Sequence, residues 1–268
     1  MIKLIATDLD NTLLDRGGVL PPATLHTVAR ARALGVPTAV VTGRSYASAG
    51  VIARRLGGNA PIICYNGAMI LREGEEAPLY ESCVPQDVVD GILAFSKERG
   101  IYVQLYDHHV IVVERLRHDV HPDPDLPFTT CREVGDFSAM TPFPTPKMLL
   151  AAPAEQVPAL QAQLETLYGD KAYFAQSEPY LIEVMAKGTH KGVALERLAA
   201  LMGVEKDEIM ACGDNTNDIP LLQAAGVAVA VANAVPQVKE IADYVCSRER
   251  SEGFREAVER FVFTARTC

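Results

Sequence analysis

Short apolar runs alternate with helix-like segments along the first part of the chain. The apolar runs have the length and character of buried parallel strands and lie at residues 2–6, 36–41 and 61–65. Helices are predicted between them at residues 23–34 and 46–56, and Gly35 ends the first one. A hairpin of residues 69–71 and 79–81 follows. This βαβαβ order predicts one half of a doubly wound α/β sheet.

The pattern changes from about residue 84, where helices are combined with strands of antiparallel type. The predicted helices are residues 85–99 and 155–167, and the predicted strands are residues 101–106, 110–114, 147–152, 172–176 and 180–185. The α/β alternation resumes with a helix at residues 190–202 and a strand at residues 208–212. We therefore predict a core of residues 1–83 and 187–268 that is interrupted by an α+β domain of residues 84–186.

Composition narrows the class of partner. The chain has 268 residues, of which 49% are hydrophobic and 22% charged, and its formal net charge is -9. Such an excess of acid argues against non-specific binding to nucleic acid or to an anionic membrane, so an anionic substrate would need local cations. The six cysteines form no C-x-x-C pair, and no apolar stretch approaches the ~20 residues of a membrane span. We expect a cytoplasmic protein with free thiols.

Polar residues follow three of the predicted parallel strands. They are Asp8 and Asp10 after the first strand, Thr42 and Gly43 after the second, and Asp214, Asn217 and Asp218 after the strand at residues 208–212. Taken singly, each group could be an ordinary turn. Because parallel strands end at the same edge of a sheet, the groups would form one site. Several oxygen ligands without cysteine or histidine suit Mg²⁺ better than zinc, and Lys191 is the candidate cation for an anionic substrate.

Two further polar segments have an ordinary structural interpretation. Asn66-Gly67 is first of all a turn dipeptide. His118 and His121 lie among several aspartates in a segment rich in proline, and this composition favours a solvated loop over a metal cluster.

Four motifs in order give the chain a resemblance to the haloacid dehalogenase (HAD) superfamily, most closely to its Cof-type, subfamily IIB, phosphatases. The motifs are residues 8–12, residues 42–44, Lys191-Gly192, and Gly213-Asp214 with Asn217-Asp218. Residues 66–68 and 233–234 also match stretches typical of this subgroup. The resemblance implies a Rossmann-like core and a C2B-type cap domain that selects the substrate. His190 stands where the family usually has a small residue, which leaves the capping of its helix open.

The resemblance also implies roles for the site residues. Asp8 would be the nucleophile and Asp10 the general acid and base. Mg²⁺ would be held by Asp8, the main-chain carbonyl of Asp10, and Asp214. The phosphate would be bound by Thr42, Lys191, Asn217 and the main-chain amides of Leu9 and Gly43. Asp218 would orient Lys191 or a metal-bound water, and Asn66 and Arg44 would have supporting roles.

Several alternatives stay open at this stage. The expected reaction is the hydrolysis of a small phosphorylated metabolite, with a sugar phosphate as the first candidate and nucleotides, pyridoxal phosphate and flavin mononucleotide as others. A phosphomutase or phosphotransferase would use the same acids. A phosphate-binding or phosphoacceptor module is a further possibility. Candidate contacts to the leaving group lie on predicted strands of the insertion, at Tyr102, Gln104, Tyr106, Tyr180 and Glu183.

Overall fold

The computed structural model describes residues 1–57, 61–72, 75, 77–107, 110–117 and 130–264. They form two compact units. The first comprises Met1–Gly43, Ala49–Tyr80 and His190–Cys268, and the second comprises Arg44–Ser48 and Glu81–Thr189. His118 and His121 lie outside the described residues.

An eight-stranded sheet forms the centre of the first unit. Its strands are β1 (Leu4–Thr7), β2 (Thr38–Val41), β3 (Pro61–Cys64), β4 (Met69–Arg72), β5 (Tyr80–Glu81), β12 (Ile209–Gly213), β13 (Val227–Ala230) and β14 (Tyr244–Val245). The order across the sheet is β14-β13-β12-β1-β2-β3-β4-β5. All pairs from β14 to β3 are parallel, whereas β4 runs antiparallel to β3. Strand β1 therefore lies in the interior of the sheet, where both of its neighbours fix its register.

Helices cover both faces of this sheet. They are α1 (Pro22–Ala33), α5 (Lys191–Met202), α6 (Ile219–Gln223), α7 (Pro236–Ile241) and α8 (Arg250–Val258). Helix α2 (Tyr46–Arg55) follows β2, and its residues from Ala49 onward belong to this unit. Apolar residues of α5, α6 and α7 form one buried cluster with Leu4 and Ala6 of β1. Helices α1 and α8 pack against each other, and α1 also contacts β2. Since successive residues of a strand point to opposite faces and neither α1 nor α8 contributes to that cluster, these two helices cover the other face.

The second unit is an α+β domain with helices on one face of a sheet. Its helices are α3 (Gln86–Arg99) and α4 (Val157–Tyr168), and its strands are β6 (Tyr102–Asp107), β7 (Val110–Val113), β8 (Thr130–Glu133), β9 (Met148–Ala151), β10 (Ala172–Glu178) and β11 (Leu181–Ala186). The order is β10-β11-β9-β6-β7-β8, and every pair is antiparallel except β7 with β8. Val88, Ile92, Leu160 and Leu164 of the helices pack on Val103 and other apolar residues of the strands.

Most predicted elements agree with the structure to within a few residues, but strand β8 was not predicted. Three of its four side chains are exposed, and among the described strands it pairs with β7 alone, so it lacks the apolar alternation by which a strand is recognised. The described cysteines are all free thiols, and Cys64, Cys212 and Cys246 are buried. None of the described helices combines the length and the apolar character needed to cross a membrane.

Candidate active site

Strand β1 carries Asp8 to the carboxyl edge of the parallel sheet. Thr7 is paired with Cys212 of β12 on one side and with Val40 of β2 on the other. The Asp8 N–H continues this ladder by donating to the Cys212 carbonyl at 3.0 Å. The residues that follow β1, β2 and β12 therefore emerge side by side, as parallel strands require.

A buried lysine joins two of the aspartates at this edge. Lys191 is only 1% exposed, and its Nζ donates to Asp8 Oδ1 at 2.7 Å and to Asp218 Oδ1 at 2.6 Å. The second oxygen of Asp218 accepts the main-chain N–H groups of Asp214 and Asn215, at 2.9 and 3.1 Å. Asp218 is thus fixed by donors on both oxygens, and it holds Lys191 beside Asp8.

The start of helix α5 brings Lys191 to this position through unusually close backbone contacts. A Cβ on Gly67, whose φ is +107°, would lie 2.4 Å from the His190 carbonyl oxygen, and one on Gly192 would lie 2.3 Å from the Pro220 carbonyl oxygen. Only glycine permits both approaches. The helix is capped by His190 itself, whose Nδ1 accepts the Val193 N–H at 3.2 Å. This answers how the helix begins without a small residue before the lysine.

Oxygen atoms of three carboxylates converge here. One oxygen from each of Asp8, Asp214 and Asp218 lies within 4.8 Å of the others. With Lys191 as the ammonium group, the fully ionised cluster carries an excess of negative charge. A divalent cation would neutralise this excess, and carboxylate oxygens are the ligands that Mg²⁺ prefers. The donor set therefore fits such an ion.

The charge excess also explains the direction of the pKa shifts. Burial raises the pKa of Asp8 well above its ordinary value, against the opposing charge of Lys191. Burial and the charge of Asp218 raise the pKa of Asp214 to about 6. Burial alone would lower the pKa of Lys191, but the charges of Asp218 and Asp8 outweigh it and raise that pKa. An added positive charge would favour the ionised form of both aspartates.

The loop after β1 contains a site residue, Thr12, to which the sequence alone assigned no role. Thr12 is fully buried, and its Oγ1 donates to Asp214 Oδ1 at 3.0 Å. Its position in the Asp-x-Asp-x-Thr string was the available signal. Between the two aspartates Leu9 is fully buried, whereas Asp10 is exposed and its charge adds slightly to the shift of Asp214.

The polar residues after β2 and β3 lie together in the same unit. Thr42 is buried, its N–H donates to the Ile63 carbonyl at 2.8 Å, and its carbonyl accepts the Asn66 N–H at 3.0 Å. A Cβ on Gly43 would lie 3.1 Å from the Asn66 amide. The same amide accepts a hydrogen bond at 3.1 Å from Asn217 Nδ2, which follows β12. Asn66 therefore connects the ends of three strands.

Arg44 belongs to the other compact unit, where its Nη1 donates to Ser48 Oγ at 3.2 Å. Its predicted supporting role stays a prediction, as do the roles of the other site residues.

Comparisons with known proteins agree with this architecture. A family model described as haloacid dehalogenase-like hydrolase matches residues 5–258. A 5-amino-6-(5-phospho-D-ribitylamino)uracil phosphatase of Bacillus subtilis is 28% identical over 96% of this chain and 97% of its own length. A phosphoglycolate phosphatase of Methanothermobacter thermautotrophicus is 29% identical over 97% of this chain and 99% of its own.

The fold is found in solved structures as well. A haloacid dehalogenase-like hydrolase from Bacteroides thetaiotaomicron has a TM-score of 0.87 at 28% identity, with 97% of this chain and 99% of the other covered. The doubly wound core and the inserted α+β domain predicted from the sequence are confirmed. Because the family model spans most of the chain, the protein belongs to the haloacid dehalogenase-like hydrolases, and within them to the Cof-type phosphatases.

Proposed function

We propose that the protein hydrolyses a small phosphorylated metabolite in a Mg²⁺-dependent reaction that passes through a phosphorylated Asp8. The observation that carries this proposal is the convergence of Asp8, Asp214 and Asp218 around the buried ammonium group of Lys191. A cluster of this charge repels a phosphate dianion unless a cation accompanies the substrate.

In the first step a carboxylate oxygen of Asp8 forms a bond to phosphorus, and the bond from phosphorus to the ester oxygen breaks. Lys191 supports this step because its positive charge favours the ionised, nucleophilic form of Asp8 against the effect of burial. The covalent intermediate divides one difficult displacement into two easier ones.

Asp10 serves as the general acid and base. It gives its proton to the departing ester oxygen in the first step. In the second step it takes a proton from the attacking water, whose oxygen bonds to phosphorus while the bond to Asp8 breaks. The exposed position of Asp10 suits a group that must exchange protons with both leaving group and water.

Asp8, the main-chain carbonyl of Asp10, and Asp214 would hold the Mg²⁺ ion. When bound, it supplies positive charge that offsets the charge on the phosphoryl oxygens. Thr12 keeps Asp214 in place for this task by donating to its Oδ1.

The remaining groups bind the phosphate. They are Thr42, the main-chain amides of Leu9 and Gly43, Asn217, and Lys191 with Asp218 as the residue that orients it. Asn66 supports this arrangement because it joins Asn217 to the segment at Gly43.

The relatives indicate a broad class of substrate and not a particular compound. The two curated relatives differ in leaving group, since one acts on a phosphoribitylamino compound and the other on phosphoglycolate. Both are small phosphate monoesters, and we propose a sugar phosphate as the substrate to be tested first. We further propose that the inserted domain, residues 84–186, selects the leaving group.

A panel of phosphate monoesters tests the proposal. The purified protein is incubated with sugar phosphates, nucleotides, pyridoxal phosphate and flavin mononucleotide in the presence of Mg²⁺, and inorganic phosphate is measured. Asp8→Asn should abolish phosphate release, whereas Asp207→Asn, an exposed carboxylate in the same unit, should leave it unchanged. Full activity of Asp8→Asn would refute the nucleophile, and an isomerised sugar phosphate without free phosphate would show a mutase instead.

A further inference from the structure

The loop between Asp8 and Thr12 has an unusual backbone at its centre. Asp10 is extended, with φ -74° and ψ 126°, whereas the next residue, Asn11, is left-handed, with φ +59°. Asparagine tolerates this conformation better than most residues, but it does not prefer it. The direction in which the chain leaves Asp10 therefore depends on whatever keeps Asn11 in place.

Asn11 is held from outside its own loop by Asn233, which follows β13, and by Arg250, which begins α8. The Nδ2 of Asn233 donates to the Asn11 carbonyl at 2.9 Å. The Nε of Arg250 also donates to the Asn11 side-chain oxygen, at the longer distance of 3.4 Å. Both contacts come from residues more than two hundred positions away in the sequence.

The Asn233 amide is itself fixed in orientation. Its Oδ1 accepts the main-chain N–H of Arg250 at 2.8 Å, so the Nδ2 must point toward Asn11. Arg250 has a φ of +48°, which is unusual for a residue other than glycine or asparagine. Residues in such conformations persist where the surroundings require them, and here the conformation presents an N–H to Asn233.

The turn that carries Asn233, between β13 and α7, also contacts the opposite side of the site. The N–H of Val235, two residues after Asn233, donates to the Asp214 carbonyl at 2.9 Å. Asp214 in turn accepts a hydrogen bond from Thr12. The Asn233 turn therefore contacts the loop of Asp10 on one side and the backbone of Asp214 on the other.

We infer that Asn233 is a positioning residue for Asp10. It acts through Asn11, whose carbonyl it binds, and Arg250 fixes the amide that makes this bond. The inference rests on the proposed role of Asp10 as the general acid. In this role Asn233 does not itself contact the substrate.

Leaving-group dependence distinguishes this role from general support of the fold. An alkyl phosphate needs its departing oxygen protonated, whereas p-nitrophenyl phosphate releases a stable phenolate that needs little help. The value of kcat/KM reports only the steps up to phosphorylation of Asp8 if that step is irreversible. A displaced Asp10 should therefore lower kcat/KM for the alkyl ester much more than for the aryl ester.

The experiment compares Asn233→Ala and Asn233→Asp with the wild type on p-nitrophenyl phosphate and on the fastest alkyl ester of the panel. Asn233→Asp keeps the acceptor for the Arg250 N–H but replaces the donor to Asn11. Both variants should lose about ten- to a hundredfold in kcat/KM on the alkyl ester, and less than about threefold on the aryl ester. Tyr244→Phe, which removes a hydrogen bond to Glu256 elsewhere in the unit, is the control and should keep its activity on both esters.

Asp10→Asn, measured in parallel, separates the two levels of the inference. It should show the same preference for the aryl ester, with a larger loss. If it shows that preference and the Asn233 variants lose both activities equally, Asn233 is merely structural and the inference is wrong. If Asp10→Asn shows no preference, the proposed general acid is wrong and the inference is refuted with it. A variant that fails to fold is replaced in the comparison by the other one.

Discussion

Removing the ammonium group of Lys191 should destabilise the first unit strongly. Lys191→Met retains an unbranched side chain but leaves Asp8 and Asp218 without their shared donor. Both carboxylates are buried, and Asp214 adds a third negative charge nearby. Breaking a buried ion pair from one side costs about 3–5 kcal/mol, because the remaining charge is left uncompensated. We expect a loss of this size in the free energy of unfolding.

The measurement is urea denaturation followed by far-ultraviolet circular dichroism, since the chain contains no tryptophan. Hydrogen exchange at the amides of β1 and β12 assigns the loss to the first unit. The urea denaturation curves are recorded once with EDTA and once with Mg²⁺. The cation should return part of the lost stability to Lys191→Met, because it replaces positive charge among the same carboxylates.

Lys3→Met is the matched control. Lys3 forms an ion pair with Glu208 at 2.6 Å, the same distance as the pair of Lys191 with Asp218, but its side chain is 57% exposed. Exposed pairs contribute little, so this substitution should cost only a small fraction of the loss in Lys191→Met. Equal losses in the two variants would refute the reasoning from burial.

Three further results are expected. In the second unit, Lys147→Met should lower the free energy of unfolding, measured by urea denaturation, by about 3 kcal/mol, because Lys147 Nζ donates to the buried Glu183 at 2.6 Å. The double variant with Glu183→Leu should recover most of this loss. If it recovers none, the loss is not an effect of charge. Mg²⁺ at about a hundred times its Kd should raise the free energy of unfolding by ~2.7 kcal/mol, and calorimetry should find most of that gain missing in Asp214→Asn. His190→Ala should lower the free energy of unfolding, measured by thermal denaturation, by about 1 kcal/mol because it removes the N-cap of α5, whereas His190→Ser should lower it less. A larger loss in His190→Ser than in His190→Ala would exclude capping as the cause.

The convergence of the strand ends could be predicted from the sequence because parallel pairing leaves little choice. Apolar runs that stop at Asp8, Thr42 and Gly213 must all end at one edge if the strands are parallel, whatever their order. Periodicity and turn residues were sufficient for that step. The order of the strands, which sets β1 between β2 and β12, was not predicted, because the apolar pattern of a strand does not say which strands lie beside it.

The contacts within the site could not be predicted in the same way. The hydrogen bond from Lys191 to Asp218 depends on how closely α5 approaches α6, and that approach is set by Gly192 against the Pro220 carbonyl. The glycine alone does not reveal this close approach, because glycines also occur in helices where they are tolerated without any packing role. Asn233 was matched to a family stretch, but its bond to Asn11 depends on the left-handed backbone of both Asn11 and Arg250.

The loop after β1 shows why a five-residue motif is more than a set of reactive side chains. Asp8 is hydrogen-bonded to Lys191, Asn11 to Asn233, and Thr12 to Asp214. Each of these partners lies at least 180 residues away in the sequence. Since each tie reaches a different distant segment, the loop takes its shape only when the second half of the first unit has folded around it. A substitution at Asn11 or Thr12 should therefore alter the site even though neither side chain reacts, because the reacting aspartates lie on the same short stretch of backbone.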